Sequence, residues 1–251
     1  MAYSALAAYS ALATDYDGTI ATEGVVETAT LDALQRWRNT GRKLILITGR
    51  ELDDWLSIFE QPSLFDWVVA ENGAVLYHPE RQDVKLLSDP PPAEFVEALR
   101  ERVGSGEEMA QASGEFAKFM EAGRLVSMGR IIVATWQPYD QAATELIQAM
   151  GLDLQVIMNK RAVMLLPRGI DKAFGLRAVA AEVGVPLDQT IGVGDAENDL
   201  HFLELCGYAV AVANALPSVK QQANWVTSAA RGAGVTELID HILSDRPLNQ
   251  A

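Results

Sequence analysis

A chain of 251 residues has room for one large domain, or for a core domain that carries an insertion. Hydrophobic residues make up 49% and charged ones 22%, an ordinary balance for a folded globular protein. The 34 acidic against 20 basic residues leave a formal net charge of −14, which argues against nucleic acid or an anionic membrane as partner and requires any anionic substrate to meet a locally positive site.

The near-duplicate segments Tyr3–Ala7 and Tyr9–Ala13 are too short to form a structural repeat. The first strand is expected at the second copy, with the first copy frayed or adding a helical turn. The apolar run Ala11-Leu12-Ala13 leads directly into Asp15-Tyr16-Asp17-Gly18-Thr19. Residues 20–26 suggest a flap or tight hairpin, and Leu31, Leu34 and Trp37 recur at helical spacing before Gly41. Lys43–Ile47 has the continuous apolar pattern of a strand buried on both faces and ends at Thr48-Gly49-Arg50. A helix over residues 51–59, a strand over 67–70, the turn Glu71-Asn72-Gly73-Ala74 and a strand over 75–77 come next.

From about Pro79 the texture changes, and Pro90-Pro91-Pro92 interrupts the chain. A helix marked by Phe95, Val96, Leu99 and Val103 leads into the Gly-rich residues 104–114 and the segment 116–120. A strand at 131–135, a helix at 141–150 and strands at 154–158 and 162–166 complete a small mixed α+β unit. The alternating pattern then resumes with a helix from Lys172 to Gly184, a strand at 190–193 ending in Gly194-Asp195, and a helix containing Leu200 and Leu203. A strand at 208–212, a helix near 218–223, the short segment 225–227 and a helix over 235–243 close the chain. The prediction is an α/β protein: a Rossmann-like parallel-sheet core from residues 1–79 and 167–251, with an α+β cap inserted over 80–166.

Asp15 and Asp17 lie two apart where a buried strand reaches solvent, so an extended chain aims both the same way. Two converging carboxylates call for a cation or a shared proton. Thr48 and the Asp195/Asp199 pair also come directly after buried strands, and a parallel sheet gathers such positions along one edge, where ligands bind. Lys172 opens a helix that can reach the same edge.

In that order, Asp15-x-Asp17-Gly18-Thr19, Thr48-Gly49-Arg50, Lys172 and Gly194-Asp195-x-x-Asn198-Asp199 resemble the signature motifs of the haloacid dehalogenase superfamily. The Glu71–Ala74 turn and the insertion resemble its Cof-type sugar phosphatases with a type-II cap. The resemblance implies a Mg²⁺-dependent phosphatase acting on a small phosphorylated metabolite, first a sugar phosphate, with phosphoglycolate an alternative and a phosphomutase or phosphotransferase the rival activity.

By the same resemblance Asp15 is the nucleophile, Asp17 the general acid and base, Thr48 a hydroxyl donor to the phosphoryl group, and Lys172 the cation that tempers Asp15. Asp15, Asp17 (through its main-chain carbonyl), Asp195 and Asp199 are the implied metal ligands. Gly18, Gly49, Arg50, Asn72, Arg168 and Asn198 complete the expected substrate contacts. The two arginines read equally as surface ion-pair partners, and the two asparagines as turn formers. An acid at position 17 favours a leaving alcohol, which needs a proton, over a leaving halide, which does not.

The remaining signals are quieter. His78, His201 and His241 lack metal-ligand spacing and are expected to be non-catalytic, and the five tryptophans read as packing residues. Gly192-Val193-Gly194 lacks the third glycine of a dinucleotide fingerprint. Cys206 is the sole cysteine, so no intrachain disulfide forms; it reads as a small buried residue, and a reducing, cytoplasmic setting is expected. No Lys or Arg precedes Arg36, and no apolar run is long enough to span a membrane. No protein partner is implied.

Overall fold

The computed structural model describes residues 9–104 and 125–243. The expected features at residues 1–8, at 116–120 and over most of 104–114 lie outside them. Among the described residues, no helix is long and apolar enough to cross a membrane.

The strands are β1 (Ala11–Asp15), β2 (Ala21–Thr22), β3 (Val25–Val26), β4 (Lys43–Ile47), β5 (Trp67–Ala70), β6 (Val75–His78) and β7 (Asp83–Leu86), then β8 (Ser127–Met128), β9 (Val133–Trp136), β10 (Leu154–Asn159), β11 (Ala162–Pro167), β12 (Thr190–Gly194), β13 (Tyr208–Ala211) and β14 (Trp225–Val226). The α-helices are α1 (Thr28–Asn39), α2 (Leu52–Ile58), α3 (Ala93–Val103), α4 (Asp140–Ala149), α5 (Lys172–Val183), α6 (Leu200–Leu205), α7 (Pro217–Gln222) and α8 (Arg231–Leu243).

The large sheet runs β14-β13-β12-β1-β4-β5-β6-β7. It is parallel from β14 to β5, and β6 and β7 add to its edge antiparallel. All five residues of β1 are buried, which is why this central strand lacks alternation. Leu12, Leu44, Ile45, Leu46, Val68, Val69, Ile191 and Val193 form the middle of the core.

The second sheet, β10-β11-β9-β8, is antiparallel throughout. With α3 and α4 it encloses a separate core around Phe95, Leu99, Val133, Ile147, Val163 and Leu165. Two expectations shift. β7 pairs with β6, so the first core segment extends past residue 80 to Leu86. Its mostly exposed Asp-Val-Lys-Leu sequence carries little strand signal, as befits a short charged edge strand. The last helix begins at Arg231, four residues before the expected start, because Gly232 and Gly234 carry no helical signal of their own. The flap is the hairpin β2–β3, turned by Glu23 and Gly24 at positive φ.

Candidate active site

β1 lies between β12 and β4 in parallel register, Thr14 opposite Val193 and Asp15 opposite Ile47. Asp15, Thr48 and Asp195 therefore leave the sheet side by side. Asp15 and Asp195 are buried, as is Asp199, and carboxylate oxygens of the three lie within 4.8 Å of one another.

Lys172 completes the cluster from the first residue of α5. Its ammonium donates to Asp15 Oδ1 at 2.5 Å and to Asp199 Oδ1 at 2.6 Å while only 1% exposed. Two local features place it there. Asp171 caps α5 by accepting from the Phe174 N–H at 2.8 Å. The 71–73 turn touches the helix start so closely that a Cβ on Gly73 (φ +107) would sit 1.8 Å from the Asp171 carbonyl oxygen. Asp199 is braced on its other side, Oδ2 accepting from the N–H groups of Asp195 (2.8 Å) and Ala196 (3.0 Å).

The electrostatics derive from burial. Desolvation lifts Asp15 well above the usual carboxylate range; Lys172 pulls it down, while Asp199 and Asp195 add to the rise. Asp195 is likewise raised, by burial and then by Asp199, against the pull of Lys160. For Lys172, burial lowers the pKa, but Asp15 and Asp199 outweigh it and the ammonium stays charged. Three crowded carboxylates facing one buried ammonium form a hard-oxygen donor set short of positive charge, and a hard divalent cation fits such a set. Asp199 has one oxygen on Lys172 and the other on two main-chain N–H groups, whereas the oxygens of Asp195 accept only from side chains, the Thr19 hydroxyl at 3.3 Å and Lys160 at 3.0 Å.

The other expected site residues divide. Asp17 is gripped by Arg50, Nε to Oδ2 at 2.6 Å and Nη2 to Oδ1 at 2.8 Å, and Arg50 also meets Asp54 at 2.8 Å. Arg50 thus faces carboxylates here rather than an open anion site. The Thr48 hydroxyl accepts the Arg50 N–H at 3.1 Å, and the Thr48 carbonyl accepts from the Asn72 N–H at 2.9 Å. Gly18 (φ +89) keeps the chain against the cluster: a Cβ there would lie 2.5 Å from Asp195 Oδ2. Gly49 lies beside the two asparagines, which meet through Asn198 Nδ2 and Asn72 Oδ1 at 2.9 Å. Each asparagine keeps one buried amide atom unpaired, Nδ2 of Asn72 and Oδ1 of Asn198. Arg168 forms an exposed 2.7 Å pair with Asp153, the arrangement of the surface ion-pair alternative.

Sequence reasoning missed three participants. Lys160, at the β10–β11 turn, reaches Asp195 Oδ2 at 3.0 Å. Met164 on β11 places its sulfur 3.4 Å from where a Gly49 Cβ would stand. Glu71 is fully buried and accepts the N–H groups of Arg130, Ile131 and Ile132 at 2.9, 2.7 and 2.9 Å, tying the core turn to the inserted unit. A charged residue in a motif turn was the available signal for Glu71; Lys160 and Met164 carry none, since a lysine in a turn and a methionine in a strand are ordinary.

The family model for haloacid dehalogenase-like hydrolases matches residues 12–104 and 119–239. The chain belongs to that family. Among curated relatives of this haloacid dehalogenase-like hydrolase is the phosphoglycolate phosphatase of Methanothermobacter thermautotrophicus, 28% identical over 91% of this chain and 96% of the relative. The phosphoglycolate phosphatase of Methanothrix thermoacetophila is 30% identical over 69% and 71%. A haloacid dehalogenase-like hydrolase from Bacteroides thetaiotaomicron shares the fold at a TM-score of 0.73 with 20% identity, covering 94% of this chain and all of that one. A structure described as a subclass IIB sugar phosphatase does so at 0.67, also with 20% identity, covering 92% and 98%. The family model and the curated relatives make the chain a Cof-type member and a phosphatase of the haloacid dehalogenase class.

Proposed function

We propose that this phosphatase hydrolyses a small phosphomonoester by passing the phosphoryl group first to Asp15 and then to water, with Mg²⁺ as cofactor. The observation that carries the reading is the buried Asp15–Lys172–Asp199 chain beside Asp195 at the common strand edge. Asp15, Asp195 and the main-chain carbonyl of Asp17 would hold the ion, with Asp199 bracing from behind. When bound, the ion neutralises charge on the phosphoryl oxygens and holds them in place.

In the first half-reaction an Asp15 oxygen bonds to phosphorus as the ester P–O bond breaks, and Asp17 gives its proton to the leaving alkoxide. In the second, Asp17 takes a proton from water, water oxygen bonds to phosphorus, and Asp15 leaves as a carboxylate with inorganic phosphate released. Lys172, bonded to Asp15 Oδ1, fixes the rotamer of the nucleophile and leaves Oδ2 for attack. Asp17 must exchange its Arg50 contact for the substrate before it can act. Thr48, Gly49 and the unpaired Nδ2 of Asn72 offer donors to the phosphoryl oxygens.

For substrate, phosphoglycolate comes first, supported by relatives of that name that align over nearly the whole chain. A sugar phosphate is the second reading, since the neighbour of that description shares only the fold. A small phosphorylated metabolite and a lone cysteine both fit a cytoplasmic setting. The test is phosphate release from 2-phosphoglycolate, a sugar-phosphate panel and p-nitrophenyl phosphate, with Mg²⁺ and with chelator. Release should require the ion, and ¹⁸O from water should enter inorganic phosphate; transfer to a sugar hydroxyl instead would establish the mutase rival. Full activity in Asp15→Asn would overturn the reading.

A further inference from the structure

We propose that Lys160 reads a carboxylate on the leaving alcohol, which makes it the residue that selects phosphorylated hydroxy acids. This rests on the phosphatase reading above and assigns its substrate preference to one side chain. Lys160 projects from the β10–β11 turn of the inserted unit, in a left-handed conformation at φ +54. Its ammonium lies 3.0 Å from Asp195 Oδ2; the Lys160 side chain is 53% exposed and that of Asp195 only 2%. A solvent-reachable cation from the cap thus arrives at the reacting centre, where it already binds a carboxylate oxygen.

The other cations described at the site are committed. Lys172 is enclosed between Asp15 and Asp199, and Arg50 is shared by Asp17 and Asp54. Among the described residues Lys160 is therefore the site cation able to change partners, and a long flexible stem bearing a compact charge suits that exchange. The Asp195 oxygen shows the kind of acceptor that a substrate carboxylate would offer this ammonium. A short leaving group such as glycolate keeps its carboxylate near the phosphoryl group, within reach of an ammonium held this close to Asp195. Met164, from the same hairpin, sits over Gly49 and narrows the space for larger leaving groups. Against a net charge of −14, an extra cation at the mouth also counts for more on a substrate that carries a second anionic group.

The experiment compares Lys160→Met and Lys160→Arg with the wild type on 2-phosphoglycolate and on p-nitrophenyl phosphate, whose leaving group has no carboxylate. Losing one charge-assisted contact should lower kcat/KM for 2-phosphoglycolate about ten- to a hundredfold more than for p-nitrophenyl phosphate, chiefly through KM, with arginine restoring part of it. Calorimetry of 2-phosphoglycolate binding to Asp15→Asn, with and without Lys160→Met, should show the same loss without turnover. Equal losses on both substrates would mean that Lys160 serves the phosphoryl group or Asp195, and would overturn the proposal, as would no loss at all. A wild type inactive on both substrates and on the sugar-phosphate panel would instead refute the phosphatase reading itself.

Discussion

Lys172 and Asp17 carry opposite lessons about a charged side chain. Lys172 is buried, which disfavours its charge, yet Asp15 and Asp199 close on it at 2.5 and 2.6 Å and keep it an ammonium. Removing one member of such a cluster leaves the others unpaired and desolvated. Lys172→Met should cost about 3–5 kcal/mol of folding stability as well as activity; a urea midpoint equal to that of the wild type would show that the cluster does not act as a unit. Asp17 is partly exposed and held by Arg50, so its loss should leave the fold intact. Asp17→Asn should lower kcat by roughly 10²–10⁴, the usual worth of a positioned acid–base group, while Mg²⁺ binding measured by calorimetry stays close to wild type. Wild-type turnover in that variant would remove Asp17 from the mechanism.

At the scale of elements, the contact between the 71–73 turn and the loop that precedes β9 joins core and cap. Glu71 gathers three N–H groups there, and Ile131 and Ile132 beside them are buried in the main core, each worth about 1.5–3 kcal/mol. Glu71→Ala would strand those donors, two of them in buried residues. The expected cost is about 3–5 kcal/mol, and amide exchange at Ile131 and Ile132 should quicken before that of β1. Unchanged protection at the two amides would mean that other contacts hold the cap. Because Asn72 comes next after Glu71 and bonds Asn198, loosening this joint should also disturb the floor of the site.

Across the whole molecule, a strongly negative chain concentrates three buried carboxylates at one edge and leaves them short of positive charge. That arrangement stores unfavourable electrostatics in the metal-free fold, which a bound cation relieves. Mg²⁺ at a hundred times its Kd should stabilise the protein by about 2.7 kcal/mol. For a chain of this size that is a rise in Tm of roughly 5–10 °C. Calorimetric scans with Mg²⁺ and with chelator test this, and Asp195→Asn should abolish the difference. The same rise in Asp195→Asn as in the wild type would place the ion elsewhere.

Much of the core and most of the candidate site are legible in the sequence. Buried parallel strands leave continuous apolar runs, and the residue just beyond each run must emerge at one edge; Asp15, Thr48 and Asp195 are set by that rule, and Lys172 by the start of the next helix. The edge strand β7 is not legible, because a short exposed strand has almost no composition of its own. The pairing of Asp17 with Arg50, the hold of Glu71 on residues 130–132 and the arrival of Lys160 at Asp195 belong to the folded state alone. Each joins residues 33 or more positions apart, and a surface-type residue reveals such a partner only when packing brings the two together. Local pattern determined which side chains stand at the sheet edge; the docking of the cap decided which of its cations leans over them, because that choice depends on distances no local pattern encodes.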